Sequence, residues 1–311
     1  MKILLTGATG FVGRALRQRL INDLHDLVAV VRESSAPDTL AMGNIGPETD
    51  WQHVLQGCEV VVHLAARVHV MEEKSLDPLR EFSRDNVEAT ENLANQAARA
   101  GVRRFVFISS IKVNGEATDA GRSFTADDTP APQDPYGVSK SEAERALKRI
   151  ADLTGMEVVI IRPPLVYGPG VKANFRTMIR FLGLGVPIPL ASVGQNRRSL
   201  VALDNLVDLI TVCVNHPDAG NQVFLVSDGE DMSTAELLRR IGEALGKPAR
   251  LIPVPVRCLQ LGASLLNRQN FFHRLCGSLQ VDIGKTRDML GWRPPISVDE
   301  GLRRAVKEYS L

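Results

Sequence analysis

Tyr136 and Lys140 stand four residues apart in the stretch Asp134-Pro135-Tyr136-Gly137-Val138-Ser139-Lys140. On a helix that spacing sets both side chains on one face, one turn apart. A phenol with its ordinary pKa of about 10 is a poor base at neutral pH. An ammonium group one turn away, with a cationic nicotinamide nearby, stabilises the phenolate and lowers that pKa. A tyrosine so placed can exchange a proton with a hydroxyl or carbonyl oxygen while hydride moves to or from the nicotinamide. Ser109 and Ser110 end the apolar run RFVFISS that starts at Arg104. A serine hydroxyl at a strand end can bond the same oxygen and polarise it. A YxxxK pattern alone arises by chance in many helices, so its weight depends on the elements around it.

The element that would hold a nicotinamide cofactor opens the chain, in MKILLTGATGFVG. Ile3, Leu4 and Leu5 suit a short buried strand; Phe11, Val12, Leu16 and Leu20 then recur with helical spacing. Between them Gly7, Gly10 and Gly13 follow at intervals of three, around Thr9. A strand that runs through glycines into a helix start aims backbone N–H groups at one point, which binds pyrophosphate. A tight turn gives the same glycines, but the strand before and the helix after favour a dinucleotide. Leu27 to Val31 is a second strand, followed by Arg32, Ser34 and Ser35, with no acid before Glu33. An acid there bonds the ribose 2′-hydroxyl of NAD, whereas an arginine accommodates the 2′-phosphate of NADP. The sequence thus favours NADP(H), with NAD(H) possible; a solvated loop arginine is the plain alternative.

Glu59 to Ala66 is a strand whose end, Leu64-Ala65-Ala66, is small enough for close approach of a cofactor. His63 inside it reads as a satisfied core residue. Residues 80–100 read as one long helix ending at Gly101, with Asn86 near its start. Its face of Ala89, Leu93, Ala94 and Ala97 suits close packing or a dimer surface. Asp134 can cap the next helix and Pro135 suits its first position. That helix runs to Thr154-Gly155 and leads to the strand Val158 to Arg162. Strands alternating with helices imply an α/β fold, a Rossmann-type doubly wound parallel sheet with right-handed crossovers. Prolines and glycines crowd the chain from Pro163 onward. We expect residues 1–165 with about 202–226 to bind the dinucleotide, and about 166–201 with 227–311 to form a smaller, discontinuous α-rich substrate domain.

Composition narrows the partners. The 311 residues are 44% hydrophobic and 23% charged, ordinary for a soluble globular protein. With 37 basic and 36 acidic residues the net charge is +1, so no overall field recruits nucleic acid or an anionic membrane. Cys58, Cys213, Cys258 and Cys276 show neither metal-ligand spacing nor a disulfide framework, which suits a cytoplasmic chain. No metal site is expected, and no apolar run approaches the roughly 20 residues of a membrane span.

Together these motifs resemble the extended short-chain dehydrogenase/reductase family of nucleotide-sugar epimerases, dehydratases and reductases. TGATGFVG resembles its TGxxGxxG loop, HLAA at 63–66 its cofactor-side strand end, and Asn86 its helix asparagine. YGVSK resembles its catalytic YxxxK, and IIRPPLVYGPG its RPxxVYGP element, with Pro163 on the cofactor. The resemblance implies that Ser110 polarises the substrate oxygen, with Ser109 next in line. It makes Tyr136 the acid/base, and gives Lys140 the nicotinamide ribose as well. It implies a nucleotide-sugar substrate, with Asn174 and Arg198 (or Arg197) on the diphosphate, Lys112 nearby, and a homodimer. Arg274 is the nearest counterpart of a later family arginine that has no clear match.

Departures from the family pattern narrow the reaction. Dehydratases carry an Asp-Glu pair where this chain has Ile111 and Lys112, so elimination of water lacks its acid and base. Asn114 replaces a usual tyrosine, which leaves room or a hydrogen-bond donor for an altered sugar. Val31-Arg32 replaces the acid of NAD-retaining epimerases. With SSIKVNGE and RRSLVALDNL, the chain is similar to the C4 reductases of bacterial O-antigen synthesis that form UDP-N-acetylquinovosamine. That likeness implies NADPH-dependent reduction of a UDP-4-keto-6-deoxyhexosamine. The alternative is a UDP-glucose or UDP-N-acetylglucosamine 4-epimerase with tightly bound NAD. A catalytically inactive cofactor-binding module is disfavoured, since Ser110, Tyr136 and Lys140 are all present.

Overall fold

Residues 1–33, 39–67, 77–119, 121–171, 173–266 and 268–309 are described by a computed structural model. The opening apolar run forms β1 (Lys2–Thr6), the glycines lead into α1 (Phe11–Asn22), and β2 (Asp26–Val31) returns beside it. β3 (Thr39–Ala41), α2 (Gln52–Leu55) and β4 (Val60–His63) follow, then α3 (Pro78–Phe82), α4 (Ala89–Arg99) and β5 (Arg104–Ile108). α5 (Pro135–Thr154) packs behind β5 and β6 (Glu157–Arg162). Next come β7 (Leu165–Tyr167), α6 (Ala173–Gly183), β8 (Arg198–Ala202), α7 (Leu203–Asn215), β9 (Gln222–Leu225) and β10 (Asp231–Met232). The chain ends in α8 (Thr234–Ala244), α9 (Val256–Leu265), α10 (Gln269–Cys276), α11 (Gly284–Leu290) and α12 (Val298–Val306).

Seven strands form one parallel sheet in the order β3-β2-β1-β4-β5-β6-β9. The doubly wound expectation holds. The pleat divides each strand between two cores: Ile3 and Leu5 pack on the face covered by α1 and α7, Leu4 on the face covered by α4 and α5. Burial on both faces is why these strands read as plain apolar runs. The winding direction reverses between β1 and β4, which opens a crevice beyond Thr6 and His63. A second sheet, β10-β8-β7, closes a third core with α6, α8 and α12.

Local signals set several boundaries. Asp134 caps α5 by accepting from the Gly137 N–H at 2.7 Å, Pro135 occupies the first turn, and Gly155 ends the helix with φ +76°. Ser233 caps α8 by accepting from the Glu236 N–H at 3.1 Å. The stretch expected as one helix over 80–100 is instead broken. It starts at Pro78, after the Asp77 cap, and passes through a π-helical turn at Ser83–Glu88 before α4. Such a wide turn re-aims a side chain, here Asn86. The face of Ala89, Leu93, Ala94 and Ala97 is buried within the chain against α5 and the sheet, so its small residues serve close packing.

Candidate active site

The glycine loop leaves β1 with Gly7 at φ +69°. A methyl group on Gly7 would lie 2.8 Å from the Ala65 nitrogen, and one on Gly13 only 2.0 Å from the Gly7 carbonyl oxygen. Close approach of three backbone segments therefore demands glycine at both positions. Gly10 donates its N–H to Gly7 at 2.9 Å and precedes α1 with no side-chain cap. The first N–H groups of α1, at Phe11, Val12 and Gly13, have no helical acceptor of their own. Thr9 is exposed at the loop tip, and Leu64, Ala65 and Ala66 form the opposite, half-buried wall. A cradle without Cβ atoms under an uncapped helix end fits a pyrophosphate. Arg32 is exposed just beyond Val31; Ser34 and Ser35 lie outside the described residues.

Below the cradle a buried chain of hydrogen bonds fixes the strand ends. Thr6 Oγ1 lies 2.7 Å from His63 Nδ1, His63 Nε2 is 3.0 Å from Thr90 Oγ1, and Thr90 donates to the Asn86 carbonyl at 2.7 Å. Because the Thr90 proton is committed to Asn86, the His63 proton belongs on Nε2. Burial, then the neighbouring Lys140 charge, pushes the imidazole down to about 3. His63 is a neutral structural residue, tied on both nitrogens. Asn86 is 1% exposed and brackets Arg67, accepting from its N–H at 2.7 Å and donating to its carbonyl at 3.0 Å. It also donates to Ser139 Oγ at 3.0 Å, which donates to the Tyr136 carbonyl at 2.8 Å. The side chain expected on the cofactor is thus committed to protein groups: it ties the loop after β4 to the first turn of α5.

α5 sets Tyr136 and Lys140 on one face, as the spacing predicts. Gly137 between them lets the helix meet the Ser110–Asn114 turn, since a Cβ there would lie 2.9 Å from the Lys112 carbonyl oxygen. Lys140 is 2% exposed, donates to the Ile108 carbonyl at 2.8 Å, and sits 4.3 Å above the Phe107 ring centre. Burial lowers its pKa to about 7, opposed by the Glu144 charge. Tyr136, with its ring edge on Phe82, is pushed up to about 12 by burial and by the Asp134 charge. Both causes run against the expected lowering of the phenol, an expectation that called on a cationic nicotinamide as well as Lys140.

The two serines at the end of β5 have different fates. Ser109 is 3% exposed and donates to Glu144 at 2.5 Å. Glu144 in turn pairs bidentately with Arg162, at 2.9 and 2.6 Å. The Ser109 hydroxyl is consumed by this buried network, which removes it as a reactive group. Ser110 begins the turn at Ile111–Val113 and accepts from the Lys112 N–H at 3.3 Å, so its proton stays available. Pro163, beside it, accepts from the Ile111 N–H at 3.0 Å. Asn114 is corrected as well: it is 3% exposed, accepts from Arg162 at 2.9 Å and donates to the Thr125 carbonyl at 2.9 Å, so it faces no sugar. Lys112 pairs with Asp134 and, at 3.0 Å, with Glu116, which takes its charge away from a substrate.

On the second sheet, Arg198 Nη1 donates to the Arg274 carbonyl at 2.8 Å and the Gly277 carbonyl at 3.2 Å. Burial, then the nearby Arg274 charge, lowers its pKa. Neither arginine has a carboxylate partner among the described residues. Two adjacent guanidinium groups without a counter-ion suit a dianionic ligand. Arg197 instead bonds the Gly194 and Asn196 carbonyls, each at 3.2 Å. Asn174 lies in the first turn of α6, with its side chain outside the described residues. Sequence reasoning missed Gly137, Phe82 and the Glu144–Arg162 pair. Only Glu144 left a trace, one turn beyond Lys140 on the same helical face.

The NAD dependent epimerase/dehydratase family profile matches residues 3–227. A UDP-glucose 4-epimerase of Vibrio cholerae is 49% identical over 311 residues, spanning 99% of this chain and 95% of that one. A UDP-glucuronic acid 4-epimerase from Bacillus cereus, solved in complex with NAD, superposes with a TM-score of 0.80 at 22% identity, covering 99% of this chain and 96% of that one. MoeE5 in complex with UDP-glucuronic acid and NAD superposes at 0.79 with 26% identity over 100% of both chains. The chain belongs to the NAD dependent epimerase/dehydratase family.

Proposed function

We propose that the protein is a UDP-hexose 4-epimerase that keeps its nicotinamide dinucleotide bound. The observation that carries this reading is the 49% identity, over nearly the whole of both chains, with an enzyme named for that activity. Residues 1–165 with about 202–226 hold the dinucleotide, and about 166–201 with 227–311 the UDP-sugar. The Gly7–Gly13 cradle and Lys140 would hold NAD, which when bound would supply a reversible hydride acceptor for C4 of the sugar. Tyr136 removes the C4 hydroxyl proton as hydride leaves and restores it as hydride returns. Ser110 donates to the same oxygen and holds it in place through both halves. Lys140 bonds the cofactor ribose and, when charged, offsets the phenolate; Arg198 and Arg274 clamp the diphosphate.

A second reading, NADPH-dependent reduction of a UDP-4-keto-6-deoxyhexosamine as in UDP-N-acetylquinovosamine synthesis, is favoured by one observation. β2 ends at buried Val31 and is followed by exposed Arg32, with no acid at either of these two positions. Cofactor retention separates the two. The epimerase reading expects protein that purifies with NAD and interconverts UDP-glucose and UDP-galactose without net oxidation, and that loses this activity in Tyr136→Phe. Protein free of cofactor that consumes NADPH only with the keto-sugar would overturn it in favour of the reductase.

A further inference from the structure

Charge is even over the whole chain but not along it. No Asp or Glu occurs between Glu157 and Asp204, or between Glu243 and Asp282. The first stretch holds Arg176 and Arg180, the second Lys247, Arg250, Arg257 and Arg268, all exposed. The fold joins the two stretches. Ile188 donates its N–H to the Arg250 carbonyl, Ile252 donates back to Ile188, both at 2.9 Å, and Lys247 Nζ donates to the Gly183 carbonyl at 3.0 Å.

The same region breaks the rule that large apolar side chains are covered. Leu184, Leu261, Leu265 and Leu266 are 66, 66, 87 and 74% exposed. α9 has no buried residue, and among the described residues its main packing partner is α10. Along it Arg257, Leu261 and Leu265 recur every fourth residue, which lays a cation and two leucines along one exposed stripe. Exposed leucines among cations, with no carboxylate in either stretch, are what an interfacial surface needs. Cations meet anionic headgroups while the apolar side chains enter the headgroup and acyl boundary. A second copy of the chain fits worse, because a self-complementary contact would set these cations against themselves.

We propose that the face formed by α9 and the paired segments 183–191 and 250–252 docks on an anionic phospholipid membrane. The even total charge, which argued against a membrane partner, conceals a local basic field. No described helix is long and apolar enough to span a bilayer, so the chain would lie on the surface.

Co-sedimentation with sucrose-loaded vesicles tests this. The probes are phosphatidylcholine vesicles containing about one third phosphatidylglycerol, and phosphatidylcholine alone. The wild-type protein should partition onto the anionic vesicles, and about tenfold or more weakly onto neutral ones or in high salt. Leu261→Glu/Leu265→Glu should lose about tenfold or more of that binding while keeping its unfolding midpoint and sugar-nucleotide turnover. Arg257→Glu/Arg268→Glu, which leaves the leucines in place, should do the same. The proposal is overturned if wild-type protein ignores anionic vesicles at low salt, or if neither variant weakens the association. A dimer that dissociates in the leucine variant, without vesicle binding by the wild type, would assign the face to a second copy instead.

Discussion

Lys140→Met exchanges a buried amine for a thioether of similar reach, and its effect on stability should depend on pH as no packing loss can. Lys140 is 2% exposed, and burial lowers its pKa from 10.5 to about 7. In the unfolded chain the amine regains its ordinary value of about 10.4. Between those two values the unfolded state binds the extra proton, so wild-type stability climbs as pH rises. Below about 7 both states are charged and the folded protein carries the whole burial penalty; above the unfolded pKa that penalty is gone. Each pH unit between them is worth about 1.4 kcal/mol. The wild type should therefore gain roughly 2–3 kcal/mol between pH 7 and 9 from this one group. Methionine does not titrate, so the variant lacks that rise. The variant also leaves the Ile108 carbonyl without its donor at 2.8 Å, a loss of roughly 1–3 kcal/mol at every pH. Urea unfolding of cofactor-free protein from pH 6 to 9 reads both effects. The advantage of the variant over the wild type should shrink by about 2–3 kcal/mol between pH 7 and 9. A difference that stays constant to about 0.5 kcal/mol across that range would refute a desolvated, neutral-leaning Lys140.

Three further outcomes follow from the same geometry. Ser110→Ala should lower kcat by roughly 10–1,000-fold with an unchanged unfolding midpoint, whereas Ser109→Ala should lose about 1–2 kcal/mol of stability and keep turnover within a few-fold; the opposite pattern in paired kinetics and melting curves would exchange the two serines. Gly13→Ala drives a methyl group to 2.0 Å from the Gly7 carbonyl oxygen. It should weaken dinucleotide binding by about tenfold or more in a fluorescence titration and destabilise the fold by roughly 1–3 kcal/mol. Arg198→Ala and Arg274→Ala should each raise KM for the UDP-sugar by roughly 10–100-fold, the worth of one charge-assisted bond, and leave dinucleotide affinity alone. A change in the dinucleotide affinity instead would place these arginines on the wrong ligand.

All strands of the large sheet but the short, largely exposed edge strand β3 were legible, because burial on both faces leaves uninterrupted apolar runs such as Val60–Val62 and Phe105–Ile108. β7, β8 and β10 were not, being two to five residues long and, in β8, opened by Arg198 and Ser199. Local chemistry was legible for the same reason that caps are: Asp134, Pro135 and Gly155 act on neighbours within four residues. What could not be read depends on partners remote in sequence. Ser109 differs from Ser110 only through Glu144, 35 residues on, and Asn114 is turned inward by Arg162, 48 residues on. Arg274 meets Arg198 across 76 residues, with no spacing rule to announce it. The raised Tyr136 pKa likewise follows from burial, which spacing on a helix does not report.

One proton transfer serves both proposed chemistries, because in each Tyr136 and Ser110 would act on the same oxygen whether hydride leaves C4 or arrives. The residues around the reacting carbon are therefore poor judges between an epimerase and a reductase. Retention of the cofactor is the better judge. An epimerase returns the hydride it borrowed, so a slow cofactor off-rate does it no harm. A reductase must exchange its cofactor once per turnover, so an off-rate slower than kcat would limit it. Off-rate is set where the dinucleotide is gripped, far from C4: at the Gly7–Gly13 cradle and at the end of β2. Arg32 is exposed there and would engage a phosphate only where a 2′-phosphate is present. With NAD it contributes little, and retention would rest on the cradle and its backbone donors. The choice between the two proposed reactions thus depends less on the proton-handling residues than on how firmly the cradle and the Arg32 end of β2 hold the dinucleotide.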